Sequence, residues 1–291
     1  MARRSVAIVT DSTSYIPEDL VGRYGLTIVP QILNWAGESY LDGVDISNDS
    51  FYARLSTAKE LPTTAQPSPG QFMEAFNQLR ETADSIVCIV ISDHLSGTLD
   101  SARAAAQSTE GIPIEVIDSR STSMGLGLLV LLAARMADDG HDHVQIAEAI
   151  RSLVPQVHLL FVVDTLEFLH RGGRIGGAQR LLGSVLLIKP ILYIDDGRIE
   201  PLESVRTKKK ALRRLLELVE EQTNDWSKVH MAVVDATAPD TANSIYDELV
   251  GSVNPAEILR AGLSPVVGVH AGPGAIGVAY FDASTIDNLG K

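Results

Sequence analysis

One cysteine in 291 residues leaves no internal disulfide to hold the chain together. That residue, Cys88, lies inside "SIVCIVIS", the setting of a buried strand, so it reads as core, and a reducing compartment is expected. Cations are also short. Lys and Arg number 24 against 37 Asp and Glu, a formal net charge of −13. The molecule as a whole repels nucleic acid and anionic membranes, so nucleic acid is not an expected partner. Any site for a phosphate or carboxylate has to be a local exception. No run of apolar residues is long enough for a membrane span. "SMGLGLLVLLAARM" meets Arg135 after about a dozen residues, short of the ~20 required. No secretory h-region precedes the first strand in "MARRSVAIVTDST", and with the cysteine count this points to the cytoplasm.

The common catalytic signatures are missing too. There is no G-x-x-x-x-G-K-[ST] for ATP, no G-x-S-x-G elbow, no H-E-x-x-H and no C-x-x-C. "GLGLLV" lacks the third glycine of a dinucleotide loop. His141 and His143 flank Asp142 at a helix start, where a surface role outweighs metal binding. Neither a metal nor a cofactor is expected.

What is there is a globular composition, 45% apolar and 21% charged, on a chain long enough for two domains. Residues 1–155 alternate buried strands ("SVAIVTD", "SIVCIVIS", "IPIEVID") with helices, the signature of an α/β domain built on a Rossmann-like parallel sheet. A small hairpin insert at about 28–45 turns at Ala36–Gly37. "PTTAQPS" reads as a loop. From 156 to 291 the pattern fits a mixed-sheet α/β domain, with "QVHLLFVVD", "LLIKPILYID", "GRIEPLESV", "KVHMAVVDA", "AEILRAG", "PVVGVHAG" and "AIGVAYFD" as strands. On this reading His270 ends a strand and faces a cleft.

Ligands of open α/β sheets sit beyond the carboxyl ends of strands. Five hydroxyl-bearing or glycine-rich stretches take such places here: "TDSTS", "ISDHLSGT", "VIDSRSTSMG", "GVHAGPG" and the "LPTTAQPSPG" loop. Taken singly, each is explained by helix capping; together they suggest that an anion or polar head group binds. "EFLHRGGRIGGAQ" packs two arginines and four glycines into residues 167–179. It reads as a flexible cationic elbow, either a docking rim or a solvated loop. "RTKKKALRR" (206–214) reads as a solvated helix face with Arg213–Glu217 support. Its charge would allow at most a transient contact with a membrane surface.

"VAIVTDSTSYIP", "PTTAQPS", "HLSGT", "VIDSRSTSMGLG", "FLHRGGRIG" and "HAGPGAIGV" stand in the order and spacing of the DegV family, which the chain resembles from about residue 5 to 281. The resemblance implies two α/β domains holding one long-chain fatty acid between them. It also implies a carrier role, presenting the carboxylate to a separate ATP-dependent fatty acid kinase subunit. The carboxylate-holding positions fall on Thr64, Ser96 and His270. Thr63, Gly97, Thr98, Ser119 and Ser121 are further candidates for the pocket mouth. Arg171, Arg174 and Arg206 correspond to arginines that face the kinase. The chain departs from the family pattern at three positions. Ala65 stands where Ser is usual, Asp93 adds an acid, and Leu99 replaces a Tyr, which would reshape the pocket mouth.

A sixteen-carbon tail would contribute roughly 11 kcal/mol gross, at ~0.8 per methylene, before association entropy is subtracted. Apolar segments 124–136 and 181–194 are the expected tunnel walls. The competing reading is a lipid hydrolase or acyltransferase with Ser96 or Ser12 as nucleophile and His270 as base. A third, a phospho-sugar or dihydroxyacetone-type binding domain, would need a smaller and more polar pocket.

Overall fold

Strands without polar alternation have to be covered on both faces, and the first half of the chain is built to do that. A computed structural model describes residues 3–183, 188–223 and 225–284. β1 (Arg4–Asp11) is buried from Val6 onward. After α1 (Glu18–Tyr24), β2 (Thr27–Val29) pairs parallel to it. A hairpin of β3 (Ile32–Trp35) and β4 (Glu38–Leu41) turns at Ala36 and Gly37, both at positive φ as a tight hairpin needs. α2 (Asn48–Leu55) follows, capped by Ser47. β5 (Thr63–Ala65) then joins the hairpin antiparallel to β3, so "TTA" is a strand and not part of the expected loop. α3 (Pro69–Arg80) carries the Ser68–Gln71 capping box. β6 (Ala83–Val90), α4 (Thr98–Ser108), β7 (Ile114–Asp118), α5 (Ser123–Asp138) and α6 (His143–Leu153) complete this half. The parallel sheet runs β2–β1–β6–β7.

The second sheet contains β8 (His158–Val162), β9 (Lys189–Asp195), β10 (Arg198–Val205), β11 (Val229–Asp235), β12 (Glu257–Gly262) and β13 (Ile276–Asp282). Its order is β10–β9–β8–β13–β11–β12. Only β11–β12 pair in parallel, which makes the sheet mixed. α7 (Glu167–Arg171), α8 (Lys208–Glu221), α9 (Pro239–Ser252) and α10 (Pro265–Ala271) are its helices.

α5 is the hinge of the packing. Its Leu126, Leu129 and Val130 share one core with Val6 and Ile89 of the first sheet and with Val234 and Phe281 of the second. The expected tunnel wall at 124–136 is therefore mostly solid core. Gly127 serves this packing, because a Cβ there would lie 3.0 Å from the Ser14 carbonyl oxygen. At the far end Arg135 donates to Glu257 on β12, tying α5 to the second sheet. Cys88 is fully buried, as expected.

Several local expectations are overturned. "PVVGVHA" forms α10 and not a strand. Ser264 accepts from Val267 N at 3.2 Å, and Pro265 sits in the first turn, so the cap outweighs three β-branched valines. The glycine elbow is no free loop. It is α7 followed by a 3-10 turn, Gly176–Leu181. Arg214, not Arg213, braces α8, bonding Glu203, Glu217 and Glu221. Lys208 is not merely solvated: its Nζ pairs with Asp164 at 3.1 Å and donates to the Gly274 carbonyl at 2.7 Å. Leu99 is core beneath the parallel sheet, not pocket mouth. Part of the apolar stretch 181–194 lies outside the described residues. Among the described residues no helix is long and apolar enough to cross a membrane, and no cluster of three or more His, Cys, Asp or Glu could hold a metal.

Candidate ligand site

A cavity of about 920 Å³, its open mouth included, lies between the two sheets. One wall comes from the strand ends and loops of the parallel sheet: Thr13, Gln31, Ile91, Ser96, Thr122 and Ser123. The other is apolar surface of the mixed sheet and α10, including Phe161, Ile199, Val234, Val266 and Ile276. Thr64, Ser96, His270 and Arg174 all line this one space, although they are up to 206 positions apart in sequence. β5 supplies Thr64, the loop before α4 supplies Ser96, the last turn of α10 supplies His270, and the bend after α7 supplies Arg174.

The hydrogen bonds behind these side chains decide what they can do. His270 Nε2 lies 2.8 Å from Thr64 Oγ1. Burial, and then the nearby Arg174 charge, push the His270 pKa down to about 4, so the ring is neutral at pH 7. Its Nδ1 is buried and has no partner among the described residues. A bare lone pair near a guanidinium is tolerable, whereas a bare buried N–H is not, so the ring proton belongs on Nε2. Nε2–H then donates to Thr64, and the Thr64 hydroxyl proton is free to point into the cavity.

Ser96 is set up the same way. Gln31 Nε2 donates both its hydrogens, to Asp11 Oδ1 at 3.1 Å and to Thr98 Oγ1 at 2.9 Å. Thr98 is fully buried and its hydroxyl proton has no other acceptor among the described residues, so it donates to Ser96 Oγ, 2.8 Å away, which leaves the Ser96 proton for the cavity. Asp11 anchors the chain. Fully buried, it also accepts from Ile91 N at 2.8 Å and from Thr13, while burial pushes its pKa upward. Two hydroxyls, each turned into a donor from behind, and one cation give this end of the cavity the chemistry that suits an anion.

One glycine makes the approach possible, and a second meets only the end of the flexible Gln66 side chain. A Cβ on Gly172 would collide with the His270 imidazole, and one on Gly97 would lie 2.6 Å from Gln66 Nε2. The "RGGR" glycine thus seats a histidine instead of lending flexibility.

The remaining sequence candidates divide. Thr98 and Gly97 stand behind Ser96 and do not line the cavity; Thr63 is exposed. Ser119 and Ser121 are buried in their own turn, where Ser121 N donates to Ser119 Oγ at 3.1 Å. It is their neighbours Thr122 and Ser123 that reach the cavity, with hydroxyls unpartnered among the described residues. Arg174 was expected at a partner-facing rim. The structure places it in the cavity wall, its guanidinium fixed by the Leu95 and Gly172 carbonyls at 2.9 and 3.0 Å. Arg171 and Arg206 are exposed, and Arg171 pairs with Glu167 at 2.7 Å. Ala65 lines the cavity, while Asp93 lies outside it. Gln31 was missed altogether. Its only signal was a polar residue among apolar ones in "IVPQIL".

Over residues 5–283 the chain matches the family model described as "Uncharacterised protein, DegV family". A DegV domain-containing protein of Caldanaerobacter subterraneus is 38% identical over 275 residues, covering 94% of this chain and 98% of its own. Two solved structures are close. One is a DegV family protein from Thermus thermophilus described by its fatty acid binding, with TM-score 0.90, 34% identity, and 96% of this chain and 99% of that one covered. The other is DegV, a fatty acid binding protein from Bacillus subtilis, with TM-score 0.89, 32% identity and the same coverage.

Proposed function

Because the chain belongs to the DegV family, we propose that it binds one long-chain fatty acid in the cavity between its sheets. It would present the carboxylate to a separate ATP-dependent kinase subunit in the cytoplasm. The observation that carries this reading is the pairing of an extended apolar wall with hydroxyl donors at one end. Thr64, Ser96 and, through Thr64, His270 hold the head group, with Arg174 supplying the charge. Hydroxyl donors orient a carboxylate without clamping both oxygens, which leaves one for transfer. Residues 1–155 and 156–291 would act as the two jaws around the lipid.

The hydrolase reading fares worse. His270 bonds Thr64 and neither Ser96 nor Ser12, whose hydroxyl instead donates to Asp42 at 2.7 Å. No acid orients Nδ1 among the described residues, and a pKa near 4 makes a weak base at neutral pH.

The test is extraction of purified protein under denaturing conditions, with mass spectrometric identification of any lipid. Near one acid per chain is expected, and the delipidated protein should regain palmitate or oleate saturably. No stoichiometric acid and no saturable binding would end the proposal.

The arginines separate the two halves of this reading. Arg171→Glu is expected to keep its lipid while weakening any kinase-coupled acyl-phosphate formation, because the side chain is exposed and does not line the cavity. Arg174→Ala is expected to lose lipid tenfold or more, since a cation beside a partly desolvated carboxylate contributes about 1.5–3 kcal/mol. Equal lipid content in both variants would show that Arg174 does not serve the head group.

A further inference from the structure

A second cavity, about 1,220 Å³ with its mouth, abuts the first, and Leu159 and Ile194 line both. The strands explain why it exists. β8 and β9 pair only from Leu160–Tyr193 to Val162–Ile191. β8 nevertheless begins at His158 and β9 runs on to Asp195, so the two strands part at this end. Leu159 and Ile194 stand at the parting. Beyond them the second cavity opens to solvent and is lined by Arg120, His158, Tyr193, Asp195 and Gln222 alongside Val157 and Leu202, a more polar wall than that of the first.

The head-group end lies in the opposite direction. Val162 of β8 pairs with Ile276, which closely follows α10 and its His270. Leu159 is three residues back along β8, a distance of about 10 Å at ~3.3 Å per residue. A chain anchored at Thr64 and Ser96 and running along this strand therefore meets Leu159 and Ile194 at its far end.

We propose that Leu159 and Ile194 form the partition that sets the longest acyl chain the protein accepts, dividing an apolar pocket from a more polar one. The inference rests on the fatty-acid reading above. A methylene on the apolar side gains the transfer free energy of burial, and one pushed past the partition into polar surroundings gains none. Each methylene that finds no room therefore forgoes about a fourfold gain in affinity. Leu159 belongs to the shared core, so Ile194, only partly buried at its edge, is the residue to vary.

Delipidated wild type, Ile194→Ala and Ile194→Phe would be offered an equimolar mixture of saturated acids from lauric to behenic, and the retained acids read by native mass spectrometry. Ile194→Phe should move the preferred length down by at least one two-carbon step, roughly a tenfold change in the ratio of stearate to myristate. Ile194→Ala should raise the share of arachidate and behenate by a similar factor. Circular dichroism and lipid stoichiometry equal to wild type would show that both variants fold. Stoichiometric loading with the same length profile in all three proteins would overturn the partition alone. No acid retained by wild type would overturn the fatty-acid reading and this inference with it. If Ile194→Phe unfolds, the Ile194→Ala profile decides by itself.

Discussion

Gly172→Ala is expected to strip the site of its histidine. At φ −75° the Gly172 backbone suits any residue, so the only penalty is steric: the added methyl would occupy the place of the His270 ring. His270 cannot retreat far, because α10 is packed into the second core through Val266 and Val269. Overpacking of this kind costs about 1–3 kcal/mol, and the ring can escape it only by leaving Thr64. The Thr64 proton then loses the bond that directs it into the cavity, and lipid retention should fall roughly tenfold or more. The His270 pKa, followed by NMR, should rise from about 4 toward the solvent value as burial is relieved. Gly22→Ala is the matched control. It lies on α1 with nothing near its Cβ position, and should stabilise the protein by about 0.4–1 kcal/mol. Unchanged lipid content and His270 titration in Gly172→Ala would refute the steric account.

This dependence of a histidine on a glycine marks the limit of what the sequence can reveal. The parallel sheet was legible because fully buried strands leave continuous apolar runs, as in β1 and β6. The Ala36–Gly37 hairpin was legible because tight hairpin turns demand positive φ. Thr64, Ser96 and His270 were suggested by resemblance, and they do line one cavity. The helix carrying His270 was misread because three valines argue for a strand while a single Ser-Pro cap argues for a helix; the cap wins because Ser264 is fully buried, where its bond counts most. Arg174 was assigned to the rim because a sequence displays charge without direction. Two backbone carbonyls, from Leu95 and Gly172, aim it inward. Gln31 could not be found at all, and Asp11, although inside the flagged "TDSTS" stretch, could not be told from a helix cap. The partners that give them their roles, Thr98 for Gln31 and Ile91 for Asp11, lie 67 and 80 positions away.

The pH dependence of stability should carry the signature of two opposed buried groups, measured on delipidated protein by urea unfolding between about pH 4 and 8. His270 is held neutral, its pKa lowered from 6.5 to about 4 by burial and then by Arg174. The unfolded chain binds that proton more tightly, so its contribution is present above pH 6.5 and is lost as pH falls toward 4; at this shift it amounts to about 3 kcal/mol. Asp42 runs the other way. Burial lifts its pKa from 3.8 to about 7 against the opposing bond from Ser12, so the native state binds the proton more tightly. Its contribution is present below pH 3.8 and is lost as pH rises through 7, about 4 kcal/mol in all. Over the shared window the two slopes oppose each other, and Asp11, its pKa also raised by burial, adds to the Asp42 side. Asp42→Asn keeps an oxygen for Ser12 but cannot titrate. Relative to wild type it should gain stability steadily as pH rises from about 4 to 7. On its own it should unmask the acid loss due to His270. His270→Gln should show the mirror image, gaining on wild type as pH falls below 6.5. Flat difference curves for both variants would mean that neither group is held as its surroundings dictate. Adding oleate supplies a further check on the site. A carboxylate seated beside Thr64 places a negative charge near the imidazole, so the His270 pKa should rise on binding. The acid loss of Asp42→Asn should then shrink by more than ligand stabilisation alone accounts for. A ligand bound elsewhere would raise stability uniformly across the range and leave the His270 titration where it was.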